Sequence, residues 1–140
     1  MSTRADAGYS GTPLAKKLGL KAGLRVLVRG APEDYATMTG FDLSDCRVLS
    51  KVAAFDFAHA FVGSRAELQR TLDALTPALD DRGMLWVSWP KKASKIATDL
   101  NEDGIRELAL PHGLVDVKVC AVDAVWSGLK LVRRVTERRR

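Results

Sequence analysis

The chain has 140 residues, 46% of them apolar, enough for one domain to bury a core of its own. No apolar run approaches the ~20 residues of a membrane-spanning helix, and Met1-Ser2-Thr3-Arg4-Ala5-Asp6 carries no hydrophobic signal segment, so a cytoplasmic protein without membrane contact is expected. The net charge of +5 is concentrated at one end, where Arg133, Arg134, Arg138, Arg139 and Arg140, offset by Glu137, supply +4 and leave a nearly neutral body poorly suited to nucleic acid.

Residues 1–11 read as a flexible arm, 12–135 as a single α/β domain and 136–140 as a basic tail. Thr12 is expected to cap a short helix with Pro13 at its first position, Leu14 and Leu18 on one face and Gly19 as its stop. Arg25-Val26-Leu27-Val28 reads as the first strand, followed by a turn at Gly30-Ala31-Pro32 and a brief helix from Glu33 to Met38. Arg47-Val48-Leu49 is a weaker second strand. Phe57 through Val62 is apolar on both faces apart from His59, the pattern of a central parallel strand.

Ser64 and Glu67 form a capping box for a helix that carries Leu68, Leu72 and Leu75 and ends at Pro77. Gly83 turns the chain into the buried-type strand Met84–Trp89. Asp99 with Glu102 predicts a second capping box and a helix bearing Ile105, Leu108 and Ala109, closed by Pro111 and Gly113. Strict alternation over 115–119, and again over 129–131, predicts an antiparallel pair at the sheet edge, with Trp126-Ser127-Gly128 as its turn. Strands alternating with helices give a three-layer α/β/α sandwich of the Rossmann-like kind.

That order, with its closing hairpin, resembles the fold of S-adenosylmethionine-dependent methyltransferases. Leu20 through Gly30 looks like that family's entry into its first strand and glycine loop. Phe55-Asp56-Phe57 resembles the start of its fourth strand, and Leu75 through Trp89 its next helix, turn and strand. The resemblance implies a six-stranded, mostly parallel sheet of order 2-1-3-4-6-5 with the last strand antiparallel, one βα unit short of the family's usual set. A second resemblance, to an uncharacterised bacterial family known only as a domain of unknown function, rests on the segments 8–14, 31–35, 86–92 and 126–130. It implies no activity.

The residues depart from a methyl-donor site. Gly30 stands at the first glycine position, but Ala31, Pro32 and Glu33 follow, and Pro32 removes an N–H and fixes φ where a donor-lined cradle needs bare backbone. The acid that would hold ribose hydroxyls after the second strand is replaced by Ser50-Lys51. No other catalytic set takes its place. His59 reads as a satisfied core histidine and His112 as a surface one, Ser88 has no nucleophile elbow, and Asp56 reads as a structural cap. Cys46 and Cys120 have no ligand spacing, while Asp99, Glu102 and Asp103 suit a helix start. No metal and no cofactor are therefore expected.

Ligands of open α/β sheets settle outside the carboxyl ends of the strands. Arg29 and Gly30 leave the first strand there, Ser64 and Arg65 the third, and Trp89, Lys91, Lys92 and Lys95 the fourth, predicting a positive crevice for a phosphate-bearing or acidic ligand. The preferred expectation is a non-catalytic binding or regulatory module. The alternative is a diverged methyltransferase-like enzyme that retains nucleotide or S-adenosylmethionine binding. A third is self-association through Tyr9, Tyr35, Trp89 and Trp126, or nucleic-acid contact through the basic tail.

Overall fold

The computed structural model describes residues 13–138; the expected arm, the Thr12 cap, Tyr9, Arg139 and Arg140 lie outside them. Six strands form one sheet: β1 (Arg25–Arg29), β2 (Arg47–Val48), β3 (Phe55–Phe61), β4 (Leu79–Pro90), β5 (Leu114–Ala121) and β6 (Trp126–Arg133). Their order is β2-β1-β3-β4-β6-β5, parallel from β2 to β4, with β6 antiparallel to both neighbours. This is the order the resemblance implies.

Helices cover both faces. The alternation of β3 sends Ala58, Ala60 and Val62 to one side, where α3 (Arg65–Leu75) and α4 (Glu102–Ala109) bring Leu68, Leu72 and Ile105, all at 0% exposure. It sends Phe57 and Phe61 to the other side, against α1 (Leu14–Leu18) and α2 (Tyr35–Thr39). Truncating a fully buried leucine such as Leu68 to alanine in such a core costs roughly 2–5 kcal/mol. Among the described residues no helix is long and apolar enough to cross a membrane.

The departures from expectation have long-range causes. β4 starts at Leu79 rather than Met84, because Leu79 pairs with Phe55 while Met84 pairs with Phe57, leaving a bulge between them. Gly83 lies in that bulge and is not a turn; a Cβ on it would come within 2.9 Å of the Asp56 carbonyl. Asp56 lies inside β3, and its carboxylate accepts from the Arg25 backbone N–H at 2.8 Å and the Arg25 guanidinium at 2.7 Å. Asp80 adds a further contact at 3.1 Å, so this ion cluster ties β1, β3 and the bulge together at the amino edge of the sheet, away from the strand tips. Hydrogen bonding from Arg25 holds the Asp56 carboxyl below the usual range.

The second capping box is not formed. Asn101 caps α4, its Oδ1 accepting from the Gly104 N–H at 2.7 Å, while Asp99 accepts from the Arg65 N–H at 2.8 Å. α2 begins at Tyr35, two residues later than expected, and Pro13 is the residue before α1 rather than its first. Trp126, Ser127 and Gly128 belong to β6; the turn is 122–125, where the buried Asp123 accepts from the Val125 and Trp126 N–H groups at 2.8 and 2.9 Å. In β5 a register shift between Asp116 and Lys118 breaks the alternation and leaves Val117 and Val119 about half exposed.

Candidate functional site

Three strand tips meet at the carboxyl edge, and each is finished differently. At the tip of β1, Gly30 has φ +69°, and a Cβ there would meet the Phe61 carbonyl at 2.8 Å. The glycine is required because β3 passes so close. Behind it the Tyr35 N–H donates to the Pro32 carbonyl at 3.2 Å, and the Tyr35 ring packs edge-on against Phe61, which closes the bend over the core. Arg29 is exposed.

Beyond β3, the start of α3 takes up several partners from within the chain. Ser64 Oγ accepts from the Glu67 N–H at 3.1 Å, Glu67 Oε1 accepts from the Gly63 N–H at 2.8 Å, and Asp99 takes the Arg65 N–H. The reciprocal half of the expected capping box thus reaches Gly63 rather than Ser64. Two carboxylates already stand where an incoming anion was expected. The Arg65 guanidinium points to α4, 3.4 Å from Glu107 and so close to Gly104 that a Cβ there would lie 2.5 Å from Nη1.

Beyond β4 the surface is open. A groove of about 640 Å³ lies beside the β4–β6 junction, with the buried Trp89 and Pro90 as one wall and Lys91, Lys92 and Lys95 along its rim. Its lining does not include Arg29, Gly30, Ser64 or Arg65, so half of the expected residues are brought together and half are not. The loop is held at both ends. The Lys91 N–H donates to the Val125 carbonyl at 2.7 Å, and a 3-10 turn at Lys92–Ser94 is locked by Ser94 Oγ donating to the Lys91 carbonyl at 2.7 Å. On the opposite wall, Thr98 Oγ1 donates to the Gly63 carbonyl at 2.7 Å and Asn101 caps α4.

One set of polar residues escaped the sequence reading. His59 satisfies both ring nitrogens inside the core, with Tyr35 Oη 2.9 Å from Nδ1 and Ser88 Oγ 2.6 Å from Nε2. The expectation of a satisfied core histidine holds, but its partners lie 24 and 29 residues away, and no local pattern announces them. Complete burial pulls the His59 pKa down to about 3, so the ring is neutral in the fold. Ser88 and His59 are both at 0% exposure, which keeps the hydroxyl from any solvent-borne substrate. His112 is partly buried beside Gln69 at 3.2 Å and Asp73 at 3.5 Å. Tyr35 and Trp89 are buried and Trp126 is partly buried, so these aromatics cover core rather than stand out as an exposed patch. Among the described residues no group of three His, Cys, Asp or Glu side chains is placed to hold a metal ion.

No family model matches the chain, and no curated protein does. Solved structures do. A precorrin-6y C5,15-methyltransferase from Geobacter metallireducens GS-15 aligns over 86% of this chain and 86% of its own, with 13% identity and a TM-score of 0.58. A ribosomal protein L11 methylase from Lactobacillus delbrueckii subsp. bulgaricus aligns over 86% and 74%, with 14% identity and a TM-score of 0.54. LepI, solved with SAH and a substrate analogue, aligns over 86% of this chain at 15% identity and a TM-score of 0.52, but the chain spans only 39% of its length. At such identity the likeness speaks for the fold alone. The chain has the α/β fold of the Rossmann-like methyltransferases, with a six-stranded sheet.

Proposed function

We propose that this chain is a diverged methyltransferase-like protein that retains binding of a nucleotide-class ligand, with the acidic part of that ligand in the groove over β4 rather than at the tip of β1. The methyltransferase-like fold favours this over a purely non-catalytic module. The observation that carries the placement is the contrast between the tips: the β1 bend is packed against Phe61, whereas Lys91, Lys92 and Lys95 rim an open groove with Trp89 in its wall. Ammonium groups supply the charge complement for phosphate, and an apolar wall suits a ring.

Calorimetry with AMP, ADP, ATP and inorganic phosphate tests it, on the wild type and on a Lys91→Ala/Lys92→Ala variant. Micromolar nucleotide binding that weakens about tenfold or more in the variant supports the reading. Binding that survives the double substitution places the ligand elsewhere. A second reading, methyl-donor binding at the β1 tip, is favoured by fold neighbours such as LepI, solved with SAH. Its signature is S-adenosylmethionine and S-adenosylhomocysteine binding that is indifferent to Lys91 and Lys92.

A further inference from the structure

The groove's polar lining divides into groups committed to the fold and groups that are not. Thr98 Oγ1 is bonded to the Gly63 carbonyl, Asn101 Oδ1 to the Gly104 N–H, and Glu102 to the Arg106 guanidinium. By contrast, Lys91, Lys92 and Lys95 line the same groove, and among the described residues none of their side chains makes a hydrogen bond or an ion pair. Three like charges within five residues repel one another, and a single monoanion offsets only part of that repulsion.

Lys95 is also the only non-glycine residue among those described with positive φ, at +63°. Such a conformation is strained for a lysine relative to ordinary backbone regions, and glycine would adopt it freely. It ends the 3-10 turn at Lys92–Ser94 and reverses the chain, so that Lys95 joins Lys91 and Lys92 on the groove.

Resting on the function proposed above, we infer that the groove takes a diphosphate-class ligand, one with two or more adjacent anionic groups, and that Lys95 sets the preference for the second group. Lys91 and Lys92 hold one phosphate, and Lys95, presented by its left-handed backbone, holds the next. An AMP-class ligand leaves that third ammonium unmatched.

The test compares AMP with ADP, and phosphate with pyrophosphate, by calorimetry on the full chain, for the wild type and for Lys95→Ala and Lys95→Gly. Both substitutions remove the ammonium, but only the glycine relieves the backbone. The wild type is expected to bind ADP and pyrophosphate about tenfold or more tightly than AMP and phosphate. Both variants should lose that preference, chiefly through weaker ADP and pyrophosphate binding, while the glycine variant melts above the alanine variant. If the wild type binds AMP as tightly as ADP, or if either variant keeps the preference, this inference is overturned and the proposed function stands. If the wild type binds no nucleotide at all, both fall.

Discussion

The tips of β1 and β4 reach the same edge of one sheet, two strands apart, and the chain treats them in opposite ways. After β1 it folds down: Gly30 lets the backbone press against the Phe61 carbonyl, and Pro32 and Tyr35 seal the bend. After β4 it stands away from the sheet, held by Lys91 to the hairpin turn, and a groove opens beneath it. The closed tip lies at the reversal of strand order between β1 and β3, where parallel α/β sheets usually keep their ligand crevice. The open tip lies where the sheet changes from parallel to antiparallel. A fold shared with methyltransferases therefore says where a site can form, and the loops decide how each of those places is finished.

The sharpest way to break the comparison is to disturb the closed tip. Gly30→Ala should cost about 3 kcal/mol or more in urea unfolding, because positive φ and the 2.8 Å approach to Phe61 act together. Gly23→Ala, with φ +89° but no atom within 4 Å of its Cβ, should cost only about 1 kcal/mol. Equal losses at the two glycines would mean that the packing of β1 against β3 is not what closes the tip.

Next in size is the acid response of the core behind the closed tip. An unfolded His59 takes up a proton near pH 6.5, the folded ring only near about 3. Between those values the unfolded state binds more protons, so stability is full above pH 6.5 and falls as the pH drops, at up to ~1.4 kcal/mol per pH unit. A loss of roughly 2 kcal/mol between pH 6.5 and pH 4.5 is expected, and His59→Gln should flatten that slope. Asp56, held low by Arg25, titrates below its ordinary 3.8 and leaves this window clear. A slope that persists in the variant would assign the acid sensitivity to other groups.

Smaller effects sharpen the groove side. Asn101→Ala should cost about 1 kcal/mol and speed amide exchange at the start of α4, whereas Asp99→Ala should loosen the start of α3 instead. The opposite assignment would restore the capping box expected from the sequence. Smallest of all, Lys91→Ala/Lys92→Ala should change stability by no more than about 0.5 kcal/mol, since neither side chain has a partner among the described residues. A larger loss would make these lysines structural.

Much of the architecture was legible because it is local. Ser64 with Leu68, Leu72 and Leu75 announces α3 at helical spacing, and the doubly apolar run around Ala58 announces a central strand. The first residues of β4 were not legible. Asp80, Asp81 and Arg82 look like a loop, and become strand only because Leu79 pairs with Phe55 and the buried Arg133 donates to the Leu79 carbonyl at 2.8 Å. The surroundings of the expected crevice were hidden for the same reason. Ser64 and Arg65 read as an open helix start until Asp99, 34 residues from Arg65, arrives to fill it.

By itself the sequence determined the alternation of strands and helices, the two-faced core and the lysine-rich segment after β4, since hydrophobic period and turn chemistry act between near neighbours. Only the tertiary structure decided that Gly30 serves the approach of Phe61, that His59 joins Tyr35 and Ser88, and that a groove opens beside β4. Those outcomes depend on which distant residues occupy the same few ångströms, and pairing across the sheet settles that only once the chain has closed upon itself.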